Sequence, residues 1–385
     1  MDGIYFYVIA FILIWLIAIV FKSSLERYGV EVGFPLLMWR TKRLHGFIDK
    51  LAKWSPRFWK IYMNIGIAVS VFFMVFMAVA LVYSLTTIID TPSVSLILPG
   101  VDVPGSPIHI PLVEGLIALA TVIVIHEFSH GILSRVENIK LESIGLLLFA
   151  VLPGAFVEPD EEELEALPKP SQLRILSAGS IANLSLAAIA LIIITILSSF
   201  VLPAVFVEDG VEIQSLPGDG NAVKYLSEGM IIRSIDNYTF DNSTGYMDAV
   251  STLRPNNTVT VGTDQGDYSF KLKTHPNNSS LGYMGVQAQL HYVLTEQYDN
   301  QPYSFLLWGL MSLKDLFFWI FFMNFAVGTF NLLPMKPLDG GKIFEILLSY
   351  VSSENIYKPL TAFMSYFMGI IIVFSLIYGF VGALI

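Results

Sequence analysis

Six uncharged apolar runs divide this chain: Ile4–Phe21, Ile61–Ile89, Gly115–Ile125 continuing through a polar motif to Leu133, Ile175–Val207, Leu316–Leu333 and Ala362–Ile385. A hydrocarbon layer about 30 Å thick is crossed by about 20 apolar residues of helix. Inside it there is no water to bond backbone N–H and C=O groups, so each run must close its own hydrogen bonds as a helix. The sequence therefore predicts a polytopic α-helical membrane protein. Composition agrees, with 54% of the 385 residues hydrophobic and 14% charged. The first run does not read as a cleaved leader, because Met1-Asp2-Gly3 carries no cation while Lys22 and Arg27 follow the apolar stretch.

The third run carries His126-Glu127-Phe128-Ser129-His130. Ionisable side chains at such depth mark a functional site by default. At 3.6 residues per turn, positions i and i+4 share a helix face about 6 Å apart along the axis, so both imidazoles can reach one metal ion. Glu127 then lies beside the metal, placed to take a proton from water activated there. The chain has no cysteine, which excludes disulfides and thiolate ligands and leaves His and carboxylate to hold a metal. A catalytic zinc site takes three protein ligands. The third candidate is Asp339, in Asn331-Leu-Leu-Pro-Met-Lys-Pro-Leu-Asp-Gly-Gly341. Pro334 and Pro337 prevent a regular helix there, and irregular backbone near a membrane is tolerable where it lines a cavity. The alternative for Asp339 is a helix-capping role at a cytoplasmic turn.

Lys and Arg set the expected orientation. Between Lys22 and Lys60 nine cations face three anions, so this loop reads cytoplasmic. From Tyr62 through Ser134 there is no Lys or Arg. The Thr91–Pro111 loop then lies outside and the His-Glu helix runs inward, with its motif in the cytoplasmic half of the bilayer. Residues Val136–Leu173 fall inside and Glu208–Pro302 outside. The outer segment holds Asn-x-Ser/Thr patterns at Asn237, Asn242, Asn256, Asn277 and Asn278. A net charge of −10 argues against a nucleic-acid partner.

Four segments follow. Residues 1–111 form a two-span region with a basic loop, and 112–207 the first part of the membrane core. Residues 208–290 form a small β-rich insert, and 291–385 the second part of the core. In the insert, Met230–Ile235, Thr258–Val261 and Tyr268–Leu272 read as strands, with turns at Pro255-Asn-Asn257 and Asp264-Gln-Gly266. Its order of elements resembles a PDZ domain; a generic β-sandwich cap is the alternative. Ile144–Val157 is too short to span and is broken by Pro153-Gly154, which predicts a membrane-associated β-hairpin. The acidic run Glu158–Glu165 reads as a solvated face.

His-Glu-Phe-Ser-His and Asn-Leu-Leu-Pro-Met-Lys-Pro-Leu-Asp-Gly-Gly together resemble the site-2 protease family of intramembrane zinc metalloproteases, as does Gly179-Ser-Ile-Ala-Asn183 in the span between them. The resemblance runs from Leu112 to the C-terminus, and the first two spans look like an N-terminal extension. It implies one Zn2+ per chain on His126, His130 and Asp339, with Glu127 as base. It also implies Asn183 as a substrate or oxyanion contact, although helix packing explains the Gly179–Asn183 pair nearly as well. The implied activity is hydrolysis of peptide bonds in or near transmembrane helices of membrane-protein substrates, by a multi-pass protein of the cell membrane. The hairpin would pair edge-on with the unwound substrate. Lys336 departs from the family pattern by placing a cation beside the carboxylate. Two other readings stay open on the sequence: a scaffold or receptor using the PDZ-like insert, and a membrane-anchored peptidase acting on soluble proteins. Oligomeric state is not legible.

Overall fold

The computed structural model describes residues 3–41, 44–86, 97–103, 106, 108–276 and 278–382. The acceptor Asn277, the loop cations Lys42 and Arg43, and Thr91–Leu96 of the expected outer loop lie outside the described residues. In chain order the first elements are helices α1 (Gly3–Val20) and α2 (Lys22–Arg27), then strands β1 (Val30–Gly33) and β2 (Leu36–Thr41). Helices α3 (His45–Trp54), α4 (Pro56–Tyr83) and α5 (Leu112–Val136) precede the hairpin β3 (Leu141–Phe149) and β4 (Leu152–Pro159). After α6 (Glu161–Glu165), α7 (Lys169–Ile196) and α8 (Leu202–Val205), the chain enters β5 (Phe206–Ser215), β6 (Ile231–Ile235) and β7 (Tyr238–Thr239). Next come α9 (Ser243–Thr252), β8 (Thr258–Thr263), β9 (Gly266–Lys271), β10 (Lys273–His275), β11 (Asn278–Tyr283) and β12 (Gln287–Leu294). The last helices are α10 (Glu296–Asp299), α11 (Ser304–Leu307), α12 (Gly309–Phe330), α13 (Asp339–Leu348) and α14 (Glu354–Gly382).

Among the described residues each of the six apolar runs is helical along most of its length, with Phe206 and Val207 already in β5 and 331–333 leaving the helix as turns. Among the described residues, five helical stretches are long and apolar enough to cross a membrane: Pro56–Thr86, Leu112–Val136, Lys169–Val205, Ser304–Phe330 and Glu354–Val381. The 18 residues of α1 rise about 27 Å, close to the hydrocarbon thickness. This is a multi-pass membrane protein. Capping fixes one entry: Ser55 Oγ accepts from Phe58 N–H, and Pro56 sits where a helix needs no donor.

Two compact units result, Met1–Ile194 with Lys314–Ile385, and Thr195–Leu313. In the first, the expected hairpin forms, but it is half of a larger sheet with order β1-β2-β3-β4. Strand β2 pairs antiparallel with β3 from Leu36↔Phe149 to Thr41↔Ile144. The basic loop that reads as a plain cytoplasmic connector thus supplies two strands and the amphipathic helix α3. Ile48 and Ala52 of α3 join Leu133 and Val136 of α5, Ile144 of β3, Val157 of β4 and Ile175 of α7 in one buried cluster. A second cluster joins Met74 of α4, Leu173 and Leu176 of α7, Leu332, and Ile343 of α13. The extension therefore packs directly on the helices that carry the sequence motifs.

The second unit is a sheet of order β12-β5-β6-β8-β9, with β7 beside β6. Its alternation is that of a half-buried sheet: Val259 and Val261 face the core while Thr258 and Thr260 do not. The expected strands and turns are present. One helix was not expected, α9, which starts where the Asn242 side chain accepts from Gly245 N–H and which buries Ala249.

Candidate metal centre

Asp339 opens α13, and the loop before it decides where its carboxylate goes. Residues 331–338 are turns, as the two prolines require. Gly340 N–H closes the loop on Asn331 O at 2.8 Å. A Cβ at Gly340 would lie 2.3 Å from the Leu332 carbonyl, so only glycine lets α13 begin flush against this loop. Lys336 does not approach Asp339; its ammonium pairs with Glu345 on α13.

His126 and His130 stand one turn apart on α5. Their Nε2 atoms are 3.2 Å apart, and each lies 3.2 Å from Asp339 Oδ2. All three side chains are less than one-fifth exposed. Residues separated by more than 200 positions thus present three ligand atoms at the corners of an equilateral triangle. A tetrahedral ion with bonds near 2.0–2.1 Å holds neighbouring ligands about 3.3 Å apart, so the donor set fits zinc in number, chemistry and spacing. Together they form a possible metal site.

Helix α7 completes the surroundings with one face. His130 Nδ1–H donates to Ile175 O at 2.8 Å. Asn183, fully buried, sets its amide nitrogen 3.3 Å from His126 Nδ1. Midway between them, a Cβ on Gly179 would lie 2.5 Å from His130 Nε2 and 2.6 Å from His126 Nε2. Residues 175, 179 and 183 recur at i, i+4 and i+8, which places them on one stripe of the helix. Gly179 leaves open the space that the ligand atoms face. Of this stripe, the sequence signalled Gly179 and Asn183; Ile175 acts through its carbonyl, which no side chain advertises.

Glu127 stands outside the triangle. Its Oε2 accepts from Val157 N–H at 3.1 Å, so this amide of β4 points to the carboxylate and not into the β3 ladder. Strand β4 is the last of its sheet, and among the described residues no other strand pairs with this side of it. One further contact escaped sequence reasoning. Asn324 of α12, fully buried, donates to Thr121 Oγ1 at 3.0 Å and clasps α12 to α5 five residues before His126. A polar residue inside an apolar run was the available signal.

A profile of peptidase family M50 matches residues 114–376, well over half of the chain and spanning both histidines and Asp339. The chain belongs to peptidase family M50. The site-2 protease resemblance read from the motifs is borne out by this membership. An uncharacterized protein of Methanocaldococcus jannaschii is 29% identical over 352 residues, covering 90% of this chain and 86% of that protein. A membrane-bound transcription factor site-2 protease homolog of Arabidopsis thaliana is 25% identical over 145 residues, 38% of this chain and 28% of its own length. The β-rich region of this M50 member is similar to the PDZ domain of an SdrC-like protein from Listeria monocytogenes. That likeness is 21% identical, covers 24% of this chain and 95% of that one, and has a TM-score of 0.19. A likeness of that score bears no weight on the fold, which rests on the strand order above.

Proposed function

We propose that this M50 member is a zinc-dependent endopeptidase that hydrolyses peptide bonds in or near transmembrane helices of membrane proteins. The observation that carries the reading is the triangle of His126, His130 and Asp339, with Glu127 beside it and bonded to the open edge of β4. The zinc ion that these three side chains would hold supplies Lewis acidity toward the scissile carbonyl and acidifies water. Glu127 accepts a proton from the attacking water and returns it to the leaving nitrogen, the bond between carbonyl carbon and nitrogen breaking in exchange. A transmembrane helix must first unwind, and lipid penalises each backbone group so exposed. Strand β4 offers partners: a segment adding to its free side runs past Val157 N–H and so past Glu127. The β3 side is closed by β2, so the docking edge is β4.

The orientation read from Lys and Arg is part of this proposal, with the centre toward the cytoplasmic side and the β-rich insert outside, where it selects substrates by size or binds their ectodomains. The insert's own ligand stays unassigned. The decisive experiment uses full-length protein in detergent with a single-span membrane protein and a soluble peptide as parallel substrates. Wild type is expected to hold about one zinc per chain and to cleave the membrane protein. Glu127→Gln is expected to keep the zinc and lose cleavage, and His126→Ala and Asp339→Ala to lose both. Cleavage of the soluble peptide alone would favour a membrane-anchored peptidase. Wild type without zinc, or E127Q with full turnover, overturns the reading.

A further inference from the structure

Both imidazoles of the centre have their Nδ1 atoms turned to α7, and the two partners are chemically different. Ile175 O can only accept, so His130 carries its proton on Nδ1 and leaves the Nε2 lone pair free for a ligand bond. At His126 the partner is the Asn183 amide, whose two ends exchange by a half-turn. With nitrogen toward the ring, as the atoms stand, Nδ1 is the acceptor and His126 must carry its proton on Nε2, the atom that faces His130 and Asp339. That arrangement also strands Asn183 Oδ1, which is buried without a hydrogen-bond partner. A buried acceptor left without a donor destabilises the arrangement that strands it.

Turning the amide over removes both conflicts. Oδ1 then accepts from His126 Nδ1–H, and the Nε2 lone pair is released toward the other two ligands. Ser180, one turn back on the same helix and also buried with an unpartnered hydroxyl, offers an acceptor on that face for the freed amide nitrogen. Resting on the zinc reading above, we propose that Asn183 is a positioning residue for His126: its side-chain oxygen takes the Nδ1 proton and thereby fixes the ring as an Nε2 ligand. Helix α7 thus orients both metal-binding imidazoles, one through a backbone carbonyl and one through an amide. Such outer partners fix the tautomer and ring orientation of ligating histidines. The role differs from the substrate or oxyanion contact that the family resemblance implied. Asn183 has no exposed surface, and among the described residues its side chain hydrogen-bonds the ring nitrogen remote from the ligand triangle.

The test is the zinc dissociation constant of full-length protein in detergent, measured by competition with a chromophoric chelator for wild type, Asn183→Leu, Asn183→Asp and His126→Ala. Removing an outer partner of this type weakens metal binding about 10–100-fold, and N183L is expected in that range. N183D, an acceptor only, is expected to bind zinc at least as tightly as wild type. Asn183→Ala, which removes the acceptor without adding bulk, carries the same expectation as N183L should the leucine fail to fold. An oxyanion contact gives the reverse pattern: wild-type zinc affinity in N183L, and N183D impaired only in turnover. Unchanged affinity in N183L or N183A, or an N183D as weak as either, overturns the proposal while leaving the zinc reading intact. A wild type that binds no more zinc than H126A removes the zinc reading itself.

Discussion

At position 179 a methyl group would sit within 2.6 Å of the Nε2 atoms of both His126 and His130, so glycine there is a condition for the proposed metal site. Gly179→Ala is expected to drop the zinc content of purified protein to background. Far-UV circular dichroism should stay unchanged, because alanine favours a helix over glycine by about 0.5–1 kcal/mol. Zinc retained in G179A would mean that the imidazoles can move aside. The residues whose spacing repeats a helical turn, His126, His130, Gly179 and Asn183, were legible because the signal is local. Asp339 was legible because two prolines and two glycines announce irregular backbone. The side to which Lys336 turns was not, since its partner Glu345 lies nine residues on across a helix start.

Among the elements, the four-stranded sheet separates what the sequence could show from what it could not. The β3–β4 hairpin is marked by its own Pro153-Gly154 break. The β1–β2 hairpin is short, lies in a basic loop, and finds its partner β3 one hundred residues later, and no local pattern reports a pairing at that distance. The order of strands also moves the useful mutation. Proline at Leu147 would remove a donor from the β4 ladder and proline at Leu148 one from the β2 ladder, so either would disturb the sheet itself. Along β4, amides alternate, and since Val157 N–H faces the open side, Ala155 N–H does too. Ala155→Pro removes one open-edge donor and spares the β3 ladder. We expect it to lower cleavage of a single-span substrate about tenfold, the equivalent of roughly 1.4 kcal/mol, with zinc content unchanged. Full turnover in A155P would exclude docking on that edge.

For the molecule as a whole, the N-terminal extension is tied in by charge as well as by packing. Glu137, at the end of α5, accepts from Arg174 at 2.8 Å and pairs with Lys60 at 3.4 Å. Burial pushes its carboxyl up, but the hydrogen bond and charge of Arg174, with Lys60, outweigh this and hold it below the usual glutamate value. A depressed pKa stabilises the fold above the unfolded value, and that gain is lost as pH falls through the folded one. Glu137→Ala, which leaves the half-buried Arg174 guanidinium without its carboxylate, is expected to cost about 3 kcal/mol at neutral pH. The gap between wild type and Glu137→Gln in thermal unfolding should close only below about pH 4.3. The insert invites a different operation. Its first and last strands pair from Phe206↔Leu294 through Tyr292↔Glu208, so its two ends are neighbours. Replacing Glu208–Tyr292 with an Asn-Gly turn is expected to leave zinc content intact and to admit substrates with bulkier ectodomains. Identical selectivity would rule out a size filter.

A sheet shared between the extension and the rest sets a timetable for biogenesis. Strand β2 is synthesised one hundred residues ahead of β3, an interval of about 5–20 s at ordinary translation rates. Throughout that delay the earlier hairpin must wait at the membrane with one flank unmatched, a window in which a neighbouring nascent chain could claim it.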